Sequence, residues 1–295
     1  MVDILDFLKE NQISYVNEDL SKKSPVKIGD IAPTVYPKDS AELIRTVSLC
    51  RRCGVEFYLL GAMSNTIIAG VKNRLFIKTD YLSGFSFEKK SVTAECGVRF
   101  SRLITEARKR GYCLLPSLIG IPGSVGGMIY SNAGAFGMEI ADGILFATVY
   151  DPISRETVRL SRSELNLDYR KSILSEGRFL LLSANFALTE KPTEQTDKII
   201  REAVRKRREA QPHDKATLGS VFKRPNGDYA ARLIDKAGLR GYRIGGAAVS
   251  EKHAGFIVNL GFATADDFLS LVSLIKRTVF EKFGVLLEEE IEILR

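Results

Sequence analysis

At 295 residues, 45% hydrophobic and 27% charged, the chain has the composition of an ordinary globular protein and is long enough for two or three subdomains. No apolar run approaches the roughly 18 residues of a membrane span, and the opening Met-Val-Asp-Ile-Leu-Asp-Phe-Leu-Lys-Glu is acidic and amphipathic rather than a secretory signal, so no membrane role and a cytoplasmic setting are expected. The formal charge of +7 raises nucleic acid as a partner, but the clusters Arg51-Arg52, Arg108-Lys-Arg110 and Arg205-Lys-Arg-Arg208 are scattered and carry no interleaved aromatics, which favours a field that steers phosphate- and carboxylate-bearing substrates over base stacking.

In chain order, Leu43, Ile44, Val47 and Cys50 recur at helical spacing over residues 39–53, with Ser40 as N-cap and Gly54 just past the end. The four cysteines, Cys50, Cys53, Cys96 and Cys113, lack the spacing of a zinc site; reduced thiols and no metal are expected. A strand at 57–60 runs straight into Gly61-Ala62-Met63-Ser64-Asn65, a candidate phosphate loop. Strands follow at 75–77, 85–87 and 92–94, then a helix at 101–110 with Leu103, Ile104 and Ala107 inward.

Between Leu118 and Glu139 glycines recur at Gly120, Gly123, Gly126, Gly127, Gly134 and Gly137, with Pro122 and only small or apolar residues around most of them. Each glycine inside a helix or strand costs roughly 0.5–1 kcal/mol against alanine, so the density argues for a loop whose backbone approaches a ligand. Turns of this kind gather N–H groups into anion-binding nests, and Ser131 and Asn132 add side-chain hydrogen bonds. A series of tight turns between short strands is the alternative. The run contains neither Gly-x-Gly-x-x-Gly nor a P-loop, and Ser124 lies in Pro-Gly-Ser-Val-Gly rather than a hydrolase elbow.

Beyond the run come strands around 144–150, 157–160 and 178–188, a polar break at 191–196, and a charged helix over 197–209 with Ile199, Ile200 and Val204 on one side. Further helices are expected at 229–237 and 264–283. The last opens on a Thr264–Asp267 capping box, turns Phe268, Leu269, Val272, Ile275, Val279 and Phe283 inward, and ends at Gly284. In the closing strand Glu288, Glu290 and Glu292 alternate with Glu289, Ile291 and Ile293. Three segments are expected: 1–80, 81–195 and 196–295.

On residue chemistry alone, Ser220 after Gly219 has no base partner, since His213 and His253 lie in no triad context; Arg170 after Tyr169 reads as a surface cation; and Glu288–Glu292 as a solvated stripe. His253 reads as a structural residue. The glycine run, however, closely resembles that of the UDP-N-acetylenolpyruvoylglucosamine reductase (MurB) family. The resemblance continues through Asp168-Tyr-Arg-Lys-Ser-Ile173, Gln211-Pro212, Gly219-Ser-Val-Phe-Lys-Arg-Pro225, Gly245-Gly246, Ser250-Glu-Lys-His-Ala-Gly-Phe-Ile-Val-Asn259 and Phe283-Gly-Val-Leu-Leu-Glu-Glu-Glu290, nearly the whole chain from about residue 20, and looks like the shorter subtype.

The resemblance implies an α+β fold: a two-lobed FAD-binding domain of the MurB/vanillyl-alcohol-oxidase-like type (1–80 and 81–195) and a C-terminal α/β substrate-binding domain (196–295). It implies bound FAD, NADPH as co-substrate, and reduction of UDP-N-acetylglucosamine enolpyruvate in peptidoglycan precursor synthesis, in a protein that is most simply a monomer. Carried over residue by residue, Ser220 would be the proton donor, Arg170 the carboxylate grip and Glu290 an enolate stabiliser. FAD would be held by Gly61, Ala62, Met63, Ser64, Asn65, Gly120, Ile121, Pro122, Gly123, Ser124, Gly126, Gly127, Asn132, Gly134 and Ala135. Tyr169, Arg207 and Lys223 would bind substrate.

The chain departs from the family at Ala62 and Met63, which replace glycines, at Asp30 after Gly29, and at Glu292, where an arginine is common. A side chain at Met63 predicts looser FAD retention. A flavin-free binding or regulatory relative, or a flavin oxidase with another substrate, is the alternative.

Overall fold

The capping box at Thr264 forms as expected. The Thr264 hydroxyl accepts from the Asp267 N–H and the Asp267 carboxylate accepts from the Thr264 N–H, both at 3.0 Å, and the helix Ala265–Phe283 closes on Gly284 at φ +67°. This computed structural model describes residues 3–71 and 73–295. The chain packs as two compact units interleaved in sequence: Met1–Val16, Pro33–Ala62 and Asn73–Lys206 form one, and Asn17–Ala32, Met63–Lys72 and Arg207–Arg295 form the other. This differs from three consecutive segments because Val26, Ile28 and Ile67 lie in the core built by the C-terminal residues.

In the first unit an antiparallel sheet runs in the order Glu156–Ser161, Ile144–Asp151, Leu180–Ala187, Ser91–Glu95, Phe85–Phe87. The strand Leu75–Lys78 pairs in parallel with Phe57–Leu60, and through Phe76 and Ile77 with Thr34 and Val35. Helix Ser40–Cys53 buries Leu43, Val47 and Cys50, and helix Phe100–Lys109 buries Phe100, Leu103, Ile104 and Ala107; the rings of Phe100 and Phe186 meet edge to face at 5.4 Å. Asp39, not Ser40, caps the first of these helices, accepting from the Glu42 N–H at 2.8 Å, because a carboxylate one residue earlier reaches that N–H and suits the positive helix end. Helix Thr193–Ala210 starts before residue 197, since Pro192 opens its first turn. Its inward residues are Thr196, Ile200 and Ala203, while Val204 is exposed.

The second unit holds an antiparallel sheet in the order Ala216–Ser220, Phe256–Asn259, Ala247–Val249, Arg243–Ile244, with helices Ala230–Lys236 and Ala265–Phe283 against it. On the long helix the buried stripe is Phe268, Leu271, Val272, Ile275 and Val279; Leu269 is half-buried and Phe283 exposed. The expected closing strand is broken rather than continuous: Glu292–Leu294 runs parallel to Thr66–Ile68, and Glu289 forms a separate antiparallel bridge with Phe222.

Candidate functional site

In the first unit the two glycine loops meet. A Cβ on Gly61 would lie 2.3 Å from Ser124 Oγ, so any side chain here would push the serine hydroxyl out of its place. Ser124 is buried and caps a helix, Val125–Tyr130, so the glycine run is helical in its middle and not loop throughout. The Val125 and Gly126 N–H groups donate to the Val98 and Cys96 carbonyls, each at 2.8 Å. A Cβ on Gly126 would press to 3.2 Å on the Cys96 carbonyl oxygen. These N–H groups therefore hold the helix on a strand end instead of forming a nest, and Gly126 permits that approach. Burial pushes the Cys96 thiol up to about 12, so it stays neutral there.

Gly134 and Ala135 pair with Glu139 and Met138 in a hairpin whose tip, Phe136 and Gly137, has φ +54° and +77°, the left-handed pair that a tight two-residue turn demands. Gly123 packs against the Met128 side chain. Besides the hairpin tip, the exposed residues of the run are Gly120, Pro122 and Gly127, with Ile121 half-buried. Ala62 and Met63 are buried, and Met63 sits at φ +56°. Its backbone thus takes the left-handed path a glycine would take, with the side chain enclosed.

Asn132 is fully buried and its amide is used at both ends: Nδ2 donates to the Asp168 carbonyl at 3.1 Å and Oδ1 accepts from the Ala141 N–H at 3.0 Å. Ser172 Oγ donates to the Tyr130 carbonyl at 2.8 Å. Both bonds tie the glycine run to the turn Asp168–Lys171, whose end residues exchange backbone hydrogen bonds at 3.0 and 3.1 Å. Tyr169 and Arg170 are the tip of that turn, not a strand; Arg170 has φ +55° and its guanidinium lies 5.2 Å from the Tyr169 ring. Tyr169 is exposed and Arg170 half-buried.

In the second unit Ser220 ends the strand Ala216–Ser220 beyond a bulge at Gly219, φ +90°. Next to it, the Val221 carbonyl accepts from the Glu290 N–H at 2.8 Å. Asn65 Nδ2 donates to the Glu290 carbonyl at 2.8 Å, and the Asn65 carbonyl accepts from the Glu292 N–H at 2.9 Å. Ser220, Glu290 and Asn65 are thus brought together by backbone pairing, each half-buried, as is Ser64. Lys223 is paired with Glu288, Nζ to Oε2 3.4 Å. Glu289 is no solvated stripe residue: Lys276 Nζ meets both its oxygens, at 2.8 and 2.9 Å. Arg207 is half-buried at the end of helix Thr193–Ala210, and burial lowers its pKa from the usual arginine value. His253 is structural: Nδ1 accepts from the Gly255 N–H at 3.2 Å and the ring packs on Phe256. Asp30 is exposed without a positive φ, so no glycine is needed there.

A protein of Caldicellulosiruptor bescii named UDP-N-acetylenolpyruvoylglucosamine reductase is 39% identical over 293 residues, 98% of this chain and 93% of that one. The chain belongs to the UDP-N-acetylenolpyruvoylglucosamine reductase family. A Listeria welshimeri protein of the same name is 39% identical over 282 residues, 95% of this chain and 94% of that one. Residues 211–294 match the family's C-terminal domain and residues 31–159 an FAD binding domain. The crystal structure of the reductase (MurB) from Thermus caldophilus superposes with a TM-score of 0.82 at 30% identity, over 96% of this chain and 100% of that one. The α+β architecture expected from the sequence, an FAD-binding domain followed by the reductase C-terminal domain, is the one found, and the cofactors are FAD and NADPH.

The first unit offers FAD an exposed glycine backbone at Gly120 and Gly127 beside the Gly61 turn, with the Gly127 N–H already donated to the Ser124 hydroxyl at 3.4 Å. Among the described residues no group of His, Cys, Asp and Glu could hold a metal, and no helix is long and apolar enough to cross a membrane. One residue escaped the sequence reading. Lys78, just past the strand expected at 75–77, is 2% exposed and reaches the Gly61 carbonyl; a charge at a strand end gives no signal of burial.

Proposed function

We propose that the protein catalyses the NADPH-dependent reduction of UDP-N-acetylglucosamine enolpyruvate to UDP-N-acetylmuramate, acting as a cytoplasmic monomer in peptidoglycan precursor synthesis. The observation that carries the assignment of roles is the pairing of Val221 with Glu290, which sets a hydroxyl and a carboxyl group on neighbouring segments in a chain of this family.

When bound, FAD would supply the hydride for the enolpyruvyl carbon, with NADPH as the source of its electrons. The chain's own residues do the rest. Segments 1–80 and 81–195 carry the flavin-binding residues, with Gly61, Ala62 and the exposed Gly120 and Gly127 against the cofactor. Arg170 grips the substrate carboxylate with its planar fork and stabilises charge as it spreads into the enolate. Glu290 stabilises the enolate by hydrogen bonding as it forms. Ser220 delivers its hydroxyl proton to the adjacent carbon, which is basic enough in the enolate to take it. Tyr169, Arg207 and Lys223 bind the rest of the substrate.

Stopped-flow absorbance separates the two half-reactions. Ser220→Ala should be reduced by NADPH at a nearly normal rate and reoxidised by the enolpyruvyl sugar about 10²–10⁴-fold more slowly, the usual effect of removing a positioned general acid. Equal slowing of both steps would mean that the serine organises the flavin site, and the proton-donor role would fall. Arg170→Ala should also weaken substrate binding, because the carboxylate is present before reaction. Light scattering in line with gel filtration checks the monomer.

A further inference from the structure

A fully buried lysine is unexpected in this fold, because an ammonium removed from water costs several kcal/mol unless it is paired or solvated by dipoles. Lys78 is such a residue. It closes the strand Leu75–Lys78, in register with Leu60, and its side chain is 2% exposed. Its Nζ lies 3.4 Å from the Gly61 carbonyl oxygen and 3.4 Å from Asp80 Oδ1, and Asp80 is itself one-third exposed. The neighbouring Thr79 donates its N–H to the Leu60 carbonyl at 3.0 Å, so the end of this strand is fastened to the chain just before Gly61. In a trans peptide the carbonyl and the following N–H point in opposite directions. With the Gly61 carbonyl drawn toward Lys78, the Ala62 N–H is turned away from it, while the other flank of Gly61 is closed by Ser124.

We infer that Lys78 is a positioning residue for the FAD diphosphate: it fixes the Gly61–Ala62 peptide with its N–H directed away from the lysine, and adds a buried positive charge behind a turn that binds an anion. The inference rests on the reading of Gly61 and Ala62 as FAD contacts. Asp80 has the opposite role, since its carboxylate offsets part of the charge that the diphosphate feels.

The test uses apoprotein titrated with FAD and, separately, with riboflavin, which has the flavin ring but no phosphate, followed by flavin fluorescence. Lys78→Met, close in volume to lysine, should weaken FAD binding about 10–100-fold and leave riboflavin binding within about twofold, with the FAD loss shrinking as salt is raised. Asp80→Asn should act in the other direction, tightening FAD a few-fold with riboflavin unchanged. A purely structural ion pair cannot give that pattern, because breaking it from either side would lower melting temperature and weaken both ligands together. Parallel loss of FAD and riboflavin in both variants, or no change in FAD affinity in Lys78→Met, would overturn the inference. Wild-type apoprotein that binds riboflavin and FAD equally would overturn instead the placement of the diphosphate at Gly61 and Ala62, and the inference with it.

Discussion

Replacing Asn132 gives the sharpest test of how the glycine run is held. The side chain is fully buried, its Nδ2 bonded to the Asp168 carbonyl at 3.1 Å and its Oδ1 to the Ala141 N–H at 3.0 Å, and its backbone sits at φ +39°. In Asn132→Ala the Ala141 N–H is left buried without its acceptor, which costs about 1–3 kcal/mol, and the bond to Asp168 is lost for about 0.5–1.5 kcal/mol more. Alanine also tolerates the left-handed backbone less well than asparagine, whose short polar side chain can bond locally there, a further cost of about 1 kcal/mol. Together these come to about 3–5 kcal/mol, a large share of the 5–15 kcal/mol that is typical of folded proteins. Asn132→Gly also loses both hydrogen bonds but relieves the backbone, so it should recover about 1 kcal/mol of that. Urea unfolding followed by circular dichroism measures both variants. Because the same amide holds the turn that carries Arg170, the KM for the enolpyruvyl sugar should rise in the surviving folded enzyme while flavin reduction by NADPH changes little. A loss below about 1 kcal/mol for Asn132→Ala, less than one buried unsatisfied donor costs, would refute the reasoning, because it would mean the amide is not engaged at both ends.

Met63→Gly removes a left-handed non-glycine residue, a gain of roughly 1–2 kcal/mol, but also a buried methionine side chain worth about 2–5 kcal/mol; with Met63 3% exposed at φ +56°, we expect a lower melting temperature and FAD affinity within about threefold by calorimetry. A tenfold tightening would show that the methionine does hold the backbone off the cofactor. Asn65→Ala loses the 2.8 Å bond to the Glu290 carbonyl, about 0.5–1.5 kcal/mol, and should slow reoxidation by substrate while leaving NADPH reduction intact in stopped-flow traces. Asp197, paired with Arg108, and Asp151, paired with Arg178, are held below the usual carboxylate value of 3.8 by those hydrogen bonds. A depressed folded pKa gives stability that is present above about pH 4 and lost as pH falls below it. Melting curves should therefore show Asp197→Asn less stable than the wild type at pH 7 and converging with it in acid; parallel curves would count against the pairing.

What could be read from the sequence were features fixed by neighbours in the chain. The Thr264–Asp267 capping box, the glycine end at Gly284 and the strand ending at Leu60 depend on spacing of a few residues, and each is found in place. The family motifs were legible as motifs but not as mechanics. Gly245-Gly246 is needed because a Cβ on Gly245 would meet the Asp267 carboxylate at 2.2 Å and one on Gly246 the Ala263 N at 2.3 Å, and the Gly246 N–H donates to Asp267 at 3.1 Å. The same aspartate caps its own helix and receives a loop from the sheet, which no local pattern reveals.

The glycine run shows why the remainder was hidden. High glycine content suggests backbone left free for a ligand, yet glycine serves equally well where one piece of the protein must approach another, and the sequence does not distinguish the two. Gly61 against Ser124, Gly123 against Met128, Gly126 against Cys96 and Gly134 against Glu139 are all approaches of the second kind, and Gly137 serves the hairpin turn, leaving Gly120 and Gly127 as the other exposed glycines of the run. Lys78 was missed for the converse reason. A lysine at a strand end is normally solvated, and its burial beside the Gly61 carbonyl, seventeen residues back in the chain, follows no local pattern. Polar residues that bond across such distances, Asn132 to Asp168 and Asn65 to Glu290, look in sequence like ligand contacts because both kinds of role call for a small amide beside a glycine turn. A substitution separates the roles: if the amide contacts the cofactor, its loss appears first in FAD affinity, and if it braces the protein, it appears first in stability and in the substrate half-reaction.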